Sequence, residues 1–316
     1  MNSLKEEFVV TSLAIDLKRD LLATGCYSQN KINFWNISSR KKFHTIHFDN
    51  AFNPINSILF FEDKISFISN ASSKVIILSG NDFDQIRSFD KAFNREIVSL
   101  DYCSGNLLIA CKRPLLQVMK EDNIRDNQDL FIVDTQSLEI IQTINSKHLI
   151  YDAKIYDDYI YTVGTNDENG LFCLTSFNIN SKETESTILG DDVDTCQIKV
   201  GNDGRTIAVI ANSSNDENGD VISTLYILDK ETKDIIYEDY VRDGSEYTNV
   251  CITDKNTIIL DLYDHEEKSS FLVQQTKEGS TIHKEKINGI TTFGIATNED
   301  KIALSTNFEV NFYGVK

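Results

Sequence analysis

One pattern recurs seven times along this 316-residue chain. A short run of alternating apolar and polar residues leads into a turn of Asp, Asn, Gly or Lys, and a second apolar run follows. The first copy occupies residues 11–17, 18–20 and 21–24, and the copies begin at 11, 55, 97, 150, 195, 248 and 290. The intervals are 44, 42, 53, 45, 53 and 42 residues. Alternation with period two around a polar turn is the signature of a β-hairpin, because successive side chains of a strand point to opposite faces. Two more strand-like runs follow each hairpin. The clearest pairs are 31–37 with 42–48, 129–134 with 138–144, and 224–229 with 233–237.

Four antiparallel strands every ~45 residues is the period of a propeller blade. The spacing therefore predicts an all-β chain: a seven-bladed β-propeller with four-stranded antiparallel blades. It also predicts one domain over residues 1–316, although a chain of this length often divides into two. A tandem of β-sandwiches gives no reason for seven near-equal periods. The seventh unit stops after its third strand, 309–315, while residues 4–10 precede the first hairpin and have no place in it. Using 4–10 as the outer strand of blade seven closes the ring and removes an exposed sheet edge.

The dipeptide at the end of the third strand carries a resemblance. Trp35-Asn36 stands there in the first unit, Val133-Asp134 and Leu228-Asp229 keep the Asp, and Ile77-Leu78 and Phe177-Asn178 have neither member of a Trp-Asp pair. Over essentially its whole length the sequence resembles a divergent WD40-repeat propeller. The family's Gly-His dipeptide is absent. The resemblance then implies that the His/Ser/Trp/Asp hydrogen-bond network of well-conserved members is absent too, and that Trp35 packs between blades.

Charge is distributed unevenly. The chain holds 49 acidic and 31 basic residues, a formal net charge of −18. Residues 1–158 contain 21 acids and 18 bases; residues 159–316 contain 28 and 13, with 23 acids and 8 bases inside 159–270. In a propeller, the loops between blades and those joining strands two and three of a blade share one rim, the top face. Long insertions of the second kind occur at 112–127 in blade three and 212–220 in blade five. Acids fall in the same loops of blades four to six: Asp167, Glu168, Asp191, Asp192, Asp194, Asp216, Glu217, Asp243, Glu246, Glu266 and Glu267. These eleven are the candidate partner-binding residues. They are expected to form one acidic sector for a Lys/Arg-rich segment, since charge complementarity speeds encounter and sets register.

The remaining patterns exclude more than they suggest. The N-terminus lacks the basic and apolar regions of a signal peptide, and no apolar run approaches the ~18 residues of a membrane span. Cys26, Cys103, Cys111, Cys173, Cys196 and Cys251 form no CxxC pair and sit in apolar runs, as buried reduced thiols do. A cytoplasmic or nuclear location is the expectation. Phosphate-binding, nucleophile-elbow and HExxH motifs are missing, and no Arg-Arg pair exists to hold a phosphoinositide. An acidic rim repels polyanions, so neither direct nucleic-acid nor membrane binding is expected. The sequence thus predicts a non-catalytic protein-protein interaction scaffold, a subunit of a multiprotein complex. It needs no cofactor or metal and takes no small-molecule substrate. The alternative is a metal-dependent lactonase- or esterase-like propeller hydrolase. Its channel site would draw on Asp152, Asp194, Thr195, Glu246 and Asn249 at the starts of innermost strands.

Overall fold

The computed structural model describes residues 2–316 apart from 17, 27–29, 49–54, 70–71, 80–82, 84, 90–95, 112–129, 147, 167, 192, 202–203, 215–220, 242–243, 254, 288–290, 298–300 and 307–308. For residues 2, 26, 56, 69, 72–74, 85–89 and 291–297 it describes the backbone alone. All described secondary structure is strand, arranged in seven four-stranded antiparallel sheets. The protein is a seven-bladed β-propeller. Its inner strands are Val10–Asp16, Ile55–Phe61, Ile97–Cys103, His148–Tyr156, Thr195–Val200, Ser245–Ile252 and Thr291–Thr297. They begin within three residues of the hairpin starts read from the sequence. By packing, residues 1–58 with 193–316 form one compact unit and residues 59–192 another.

The closing strand is present but shorter than expected. Asn2–Lys5 pairs with Glu309–Gly314, Leu4 opposite Val310, as the outer strand of blade seven. Residues 6–9 do not join it, and Val10 already belongs to blade one. Glu6 is the reason. Its carboxylate turns into blade one, where Thr24 Oγ1 and Trp35 Nε1 (2.8 Å) donate to Oε1 and Asn33 Nδ2 donates to Oε2 at 2.7 Å. Asn33 Oδ1 accepts in turn from Thr45 Oγ1 at 2.8 Å. The network expected to vanish with the Gly-His dipeptide is therefore rebuilt in blade one. A carboxylate from the closing segment receives the Trp35 and Thr24 donors.

The third-to-fourth strand turns explain why Asp or Asn ends strand three. Asn36, Asp134, Asn178 and Asp229 each accept, through Oδ1, the backbone N–H three residues on, at 2.7–2.9 Å. The fifth residue of each turn, Arg40, Leu138, Lys182 or Lys233, has φ between 55° and 63°. A short polar side chain thus caps a turn that the backbone closes in the left-handed region. Asn178 performs this function although the sequence shows no Trp-Asp pair there.

The core lies in seams between neighbouring blades. In the smaller unit, Phe61, Ile77, Leu107, Ile109 and Val133 fill the seam of blades two and three, and Leu108, Ile132, Ile150, Ile160 and Phe177 that of three and four. In the larger unit, Ala208, Leu225, Val250 and Leu260 join blades five and six. Leu4, Leu22, Trp35, Ala303 and Val310 join blades seven and one, so Trp35 does pack between blades. Inner strands of blades one, three, four and six each carry an extra residue near their start. Beyond it, Ser12 Oγ reaches Ile55 O (2.9 Å) and Ser99 Oγ reaches Ala153 O (3.0 Å) in the next blade. A bulge turns a side chain sideways, and here it ties one blade to the next.

Candidate functional site

Five of the eleven candidate acids, Asp167, Asp192, Asp216, Glu217 and Asp243, lie outside the described residues, as does the insertion 112–127. Of the other six, Glu168, Asp191, Asp194, Glu266 and Glu267 lie between strands, whereas Glu246 lies inside the inner strand Ser245–Ile252 of blade six. In blade six, His265 N donates to Gly244 O at 2.6 Å, which brings the turn 265–268 beside the loop entering the blade. Glu246, Glu266 and Glu267 share that rim. Glu246 is half-buried, its Oε1 3.5 Å from His265 Nε2. It is held by the next residue, because Tyr247 is buried and its hydroxyl donates to Asp239 Oδ2 at 2.8 Å. Burial first, and then this carboxylate, push the Tyr247 phenol up.

Two of the six acids already have structural duties. Asp194 Oδ2 accepts both N and Oγ of Ser214 at 2.7 Å, fastening the entry of blade five to the end of its second strand. Glu267 Oε2 meets Lys286 Nζ at 2.8 Å. Glu266 is exposed in the blade six turn, with Lys268 also exposed there. Glu168 is exposed in a turn built on Asn166, whose Oδ1 accepts the Glu168 N–H at 2.8 Å. Asp191 is exposed just beyond the outer strand Thr184–Gly190. Among the described residues, Glu168, Asp191 and Glu266 have neither an ion pair nor a capping role.

Two of the channel candidates have partners of their own. Asp152 Oδ1 pairs with Lys154 Nζ at 2.9 Å, and Asn249 Nδ2 donates to Asp261 Oδ2 at 3.4 Å. Among the described residues, no three or more His, Cys, Asp and Glu side chains are placed to hold a metal ion. Two contacts could not be read from spacing. His265 reaches Glu246, and in blade four His148 Nδ1 lies 3.8 Å from Cys173 Sγ, both buried. The first joins a turn residue to a strand and the second two different strands, so only the folded sheet brings them together. Cys103, Cys111, Cys173, Cys196 and Cys251 are free thiols, three of them buried. Among the described residues no helix is long and apolar enough to cross a membrane.

No known family model matches the sequence, and no curated protein matches it. Solved structures do match the fold. The Cps50 (Swd1) β-propeller domain of Myceliophteria thermophila is similar over 100% of both chains, with a TM-score of 0.70 and 14% identity. The Pan2 WD40 domain of Neurospora crassa is similar over 97% of this chain and 89% of its own, with a TM-score of 0.67 and 12% identity. Hydrazine synthase of Kuenenia stuttgartiensis is similar over 99% and 97%, with a TM-score of 0.73 and 9% identity. The architecture is that of the seven-bladed WD40-type propellers. At these identities the likeness is one of fold.

Proposed function

We propose that the chain is a non-catalytic protein-interaction subunit whose acid-bearing rim loops receive a Lys/Arg-rich segment of a partner protein. The observation that carries this reading is the exposure of Glu168, Asp191 and Glu266 in rim loops of a chain with net charge −18. Such carboxylates are open to incoming cations, whereas Asp194 and Glu267 are already engaged within the fold. WD40-type architecture favours the same reading, since the similar structures include a WD40 domain and a β-propeller domain of named proteins. A propeller fold hosts many functions, however, so the site must carry the argument. The mechanism is rigid display: the blades fix the loops, and partner cations pair with carboxylates in place. Exposed pairs contribute roughly 0–1 kcal/mol each, so several must act together and apolar contacts must supply the rest.

Affinity purification of the tagged chain from its own cells, read by mass spectrometry, tests this. We expect stoichiometric partners, at least one with a basic segment, that are lost on washing with half-molar NaCl. The triple variant Glu168→Lys, Asp191→Lys, Glu266→Lys should weaken the same complex by about tenfold or more. A complex indifferent to both salt and this charge reversal would overturn the acidic-rim reading.

A further inference from the structure

Blade one is basic in a chain of net charge −18: residues 10–47 hold six bases and two acids. Both acids are engaged inside the blade. Asp16 Oδ2 accepts from Arg19 Nε at 2.5 Å, and Asp20 Oδ1 accepts from Ser38 N (3.0 Å) and Ser38 Oγ (2.8 Å). Ile37 N also donates to Asp20 O at 3.0 Å, which joins the turn after the first strand to the turn after the third. Lys18 stands on the first turn, Arg40 on the second, and Lys41 and Lys42 open the outer strand Lys41–His47 that follows. The four bases therefore gather at one end of the blade. All four are exposed, and among the described residues none is in an ion pair.

The outer strand adds an apolar anchor. Lys42 stands opposite Trp35 and His44 opposite Phe34, so Phe43 is an extra residue in the ladder. The bulge sets the Phe43 ring 6.3 Å from that of Phe34 and leaves Phe43 50% exposed. The strand is the last of its sheet, so its outer edge offers N–H and C=O groups that no described strand pairs. Lysines commonly guard such an edge, but they are no general guard in this chain. The outer strands Ile140–Ile144, Thr184–Gly190 and Ile235–Val241 carry no base at all. Consecutive bases at one edge repel a second copy of that edge and attract a strand rich in carboxylates. A nucleic acid would run past the four bases into the field of a strongly acidic chain, whereas a segment matching the seven residues of the strand would not.

We propose that the outer edge of blade one docks an extended acidic segment of a partner protein, with Asp or Glu carboxylates on Lys18, Arg40, Lys41 and Lys42 and an apolar side chain against Phe43. This edge is separate from the acid-bearing rim loops and of opposite charge preference, so either can fail without the other.

The test is panning of a phage-displayed random dodecapeptide library on the full chain, with the double variant Lys18→Glu, Lys41→Glu and the single variant Phe43→Ser in parallel. The three residues are exposed, so the variants should melt close to the parent, and thermal scans check this. The expected result is a peptide class rich in Asp or Glu with one large apolar residue. The best such peptide, fluorescein-labelled, should bind at least about tenfold more weakly to the double variant and about threefold more weakly to Phe43→Ser. It should also slow amide hydrogen exchange over residues 41–47 of the parent. Absence of the acidic class, equal binding by the parent and either variant, or protection confined to other blades would each overturn the proposal. So would an oligouridylate of about twenty nucleotides that binds the parent more tightly than the peptide does and is lost in the double variant, since the edge would then serve nucleic acid.

Discussion

Glu6 holds a carboxylate 7% exposed among Thr24, Asn33 and Trp35, residues 18 to 29 positions away. Removing it would take the acceptor from the Asn33 amide and leave the Trp35 indole N–H only Thr24 Oγ1, at 3.3 Å. The cost of stranding such donors beside a lost charge is about 3 kcal/mol, so Glu6→Ala should be among the most destabilising single changes, as urea denaturation would show. Glu6→Gln keeps an acceptor and should cost less. The two variants also separate packing from charge. Burial outweighs the three donors and nearby Lys42, and it holds the Glu6 carboxyl above its ordinary value of 4.5. The folded chain therefore binds this proton more tightly than the unfolded chain does. The linked stability is full below pH 4.5 and is lost as pH rises through the raised value. Against the Glu6→Gln variant, the parent should lose ground over that interval and not beyond it. Parallel stability profiles for the two would show that Glu6 does not titrate there. Nothing in the sequence marks Glu6, because a lone acid in a charged N-terminal run looks solvated until the closing strand aims it inward.

The turns show how much of an element a sequence reveals. Hairpins were legible because alternation and polar turns act over neighbouring residues. Asp or Asn at the end of strand three was legible at Asp134 and Asp229, and Asn178 shows that the cap, not the tryptophan, is the working part. Replacing Asn36 by Ala removes the acceptor for Ser39 N and should cost about 1 kcal/mol. The left-handed fifth residue offers a gain. Lys233, at φ 62°, can become Gly without strain, and Lys233→Gly should stabilise by about 1 kcal/mol in thermal melts, whereas Lys233→Val should destabilise. The extra inner-strand residues were not legible, because a bulge changes register without changing composition. Gly164 is their trace: a Cβ there would sit 1.8 Å from Leu149 O, beside the bulge of blade four. Gly164→Ala must push backbone apart, and we expect a loss of more than about 2 kcal/mol. The candidate site was legible only as composition. The sequence places acids in rim loops, but which of them cap a strand, as Asp194 does, or meet a lysine, as Glu267 does, depends on partners 19 or 20 residues distant.

At the scale of the molecule, the larger compact unit is assembled from both ends of the chain, residues 1–58 and 193–316. Four N-terminal residues close its last sheet, and Leu4, 2% exposed, also packs in the seam with Trp35 and Val310. Deleting residues 1–5 would uncover the edge of Glu309–Gly314, empty the Leu4 site and free the segment that carries Glu6. A fully buried leucine is worth about 2–3 kcal/mol, and the lost strand pairing and displaced carboxylate add to it. The melting temperature should fall by about 10 °C. The form of the transition matters as much as its midpoint. We propose that residues 1–316 fold as one domain, in which case calorimetry gives a single peak for the parent and a single, lower peak for the deletion. The smaller unit, residues 59–192, is the control built into the chain. If a second transition stays at the parent temperature while the first moves, residues 59–192 hold themselves together without the closing strand, and the single-domain reading fails.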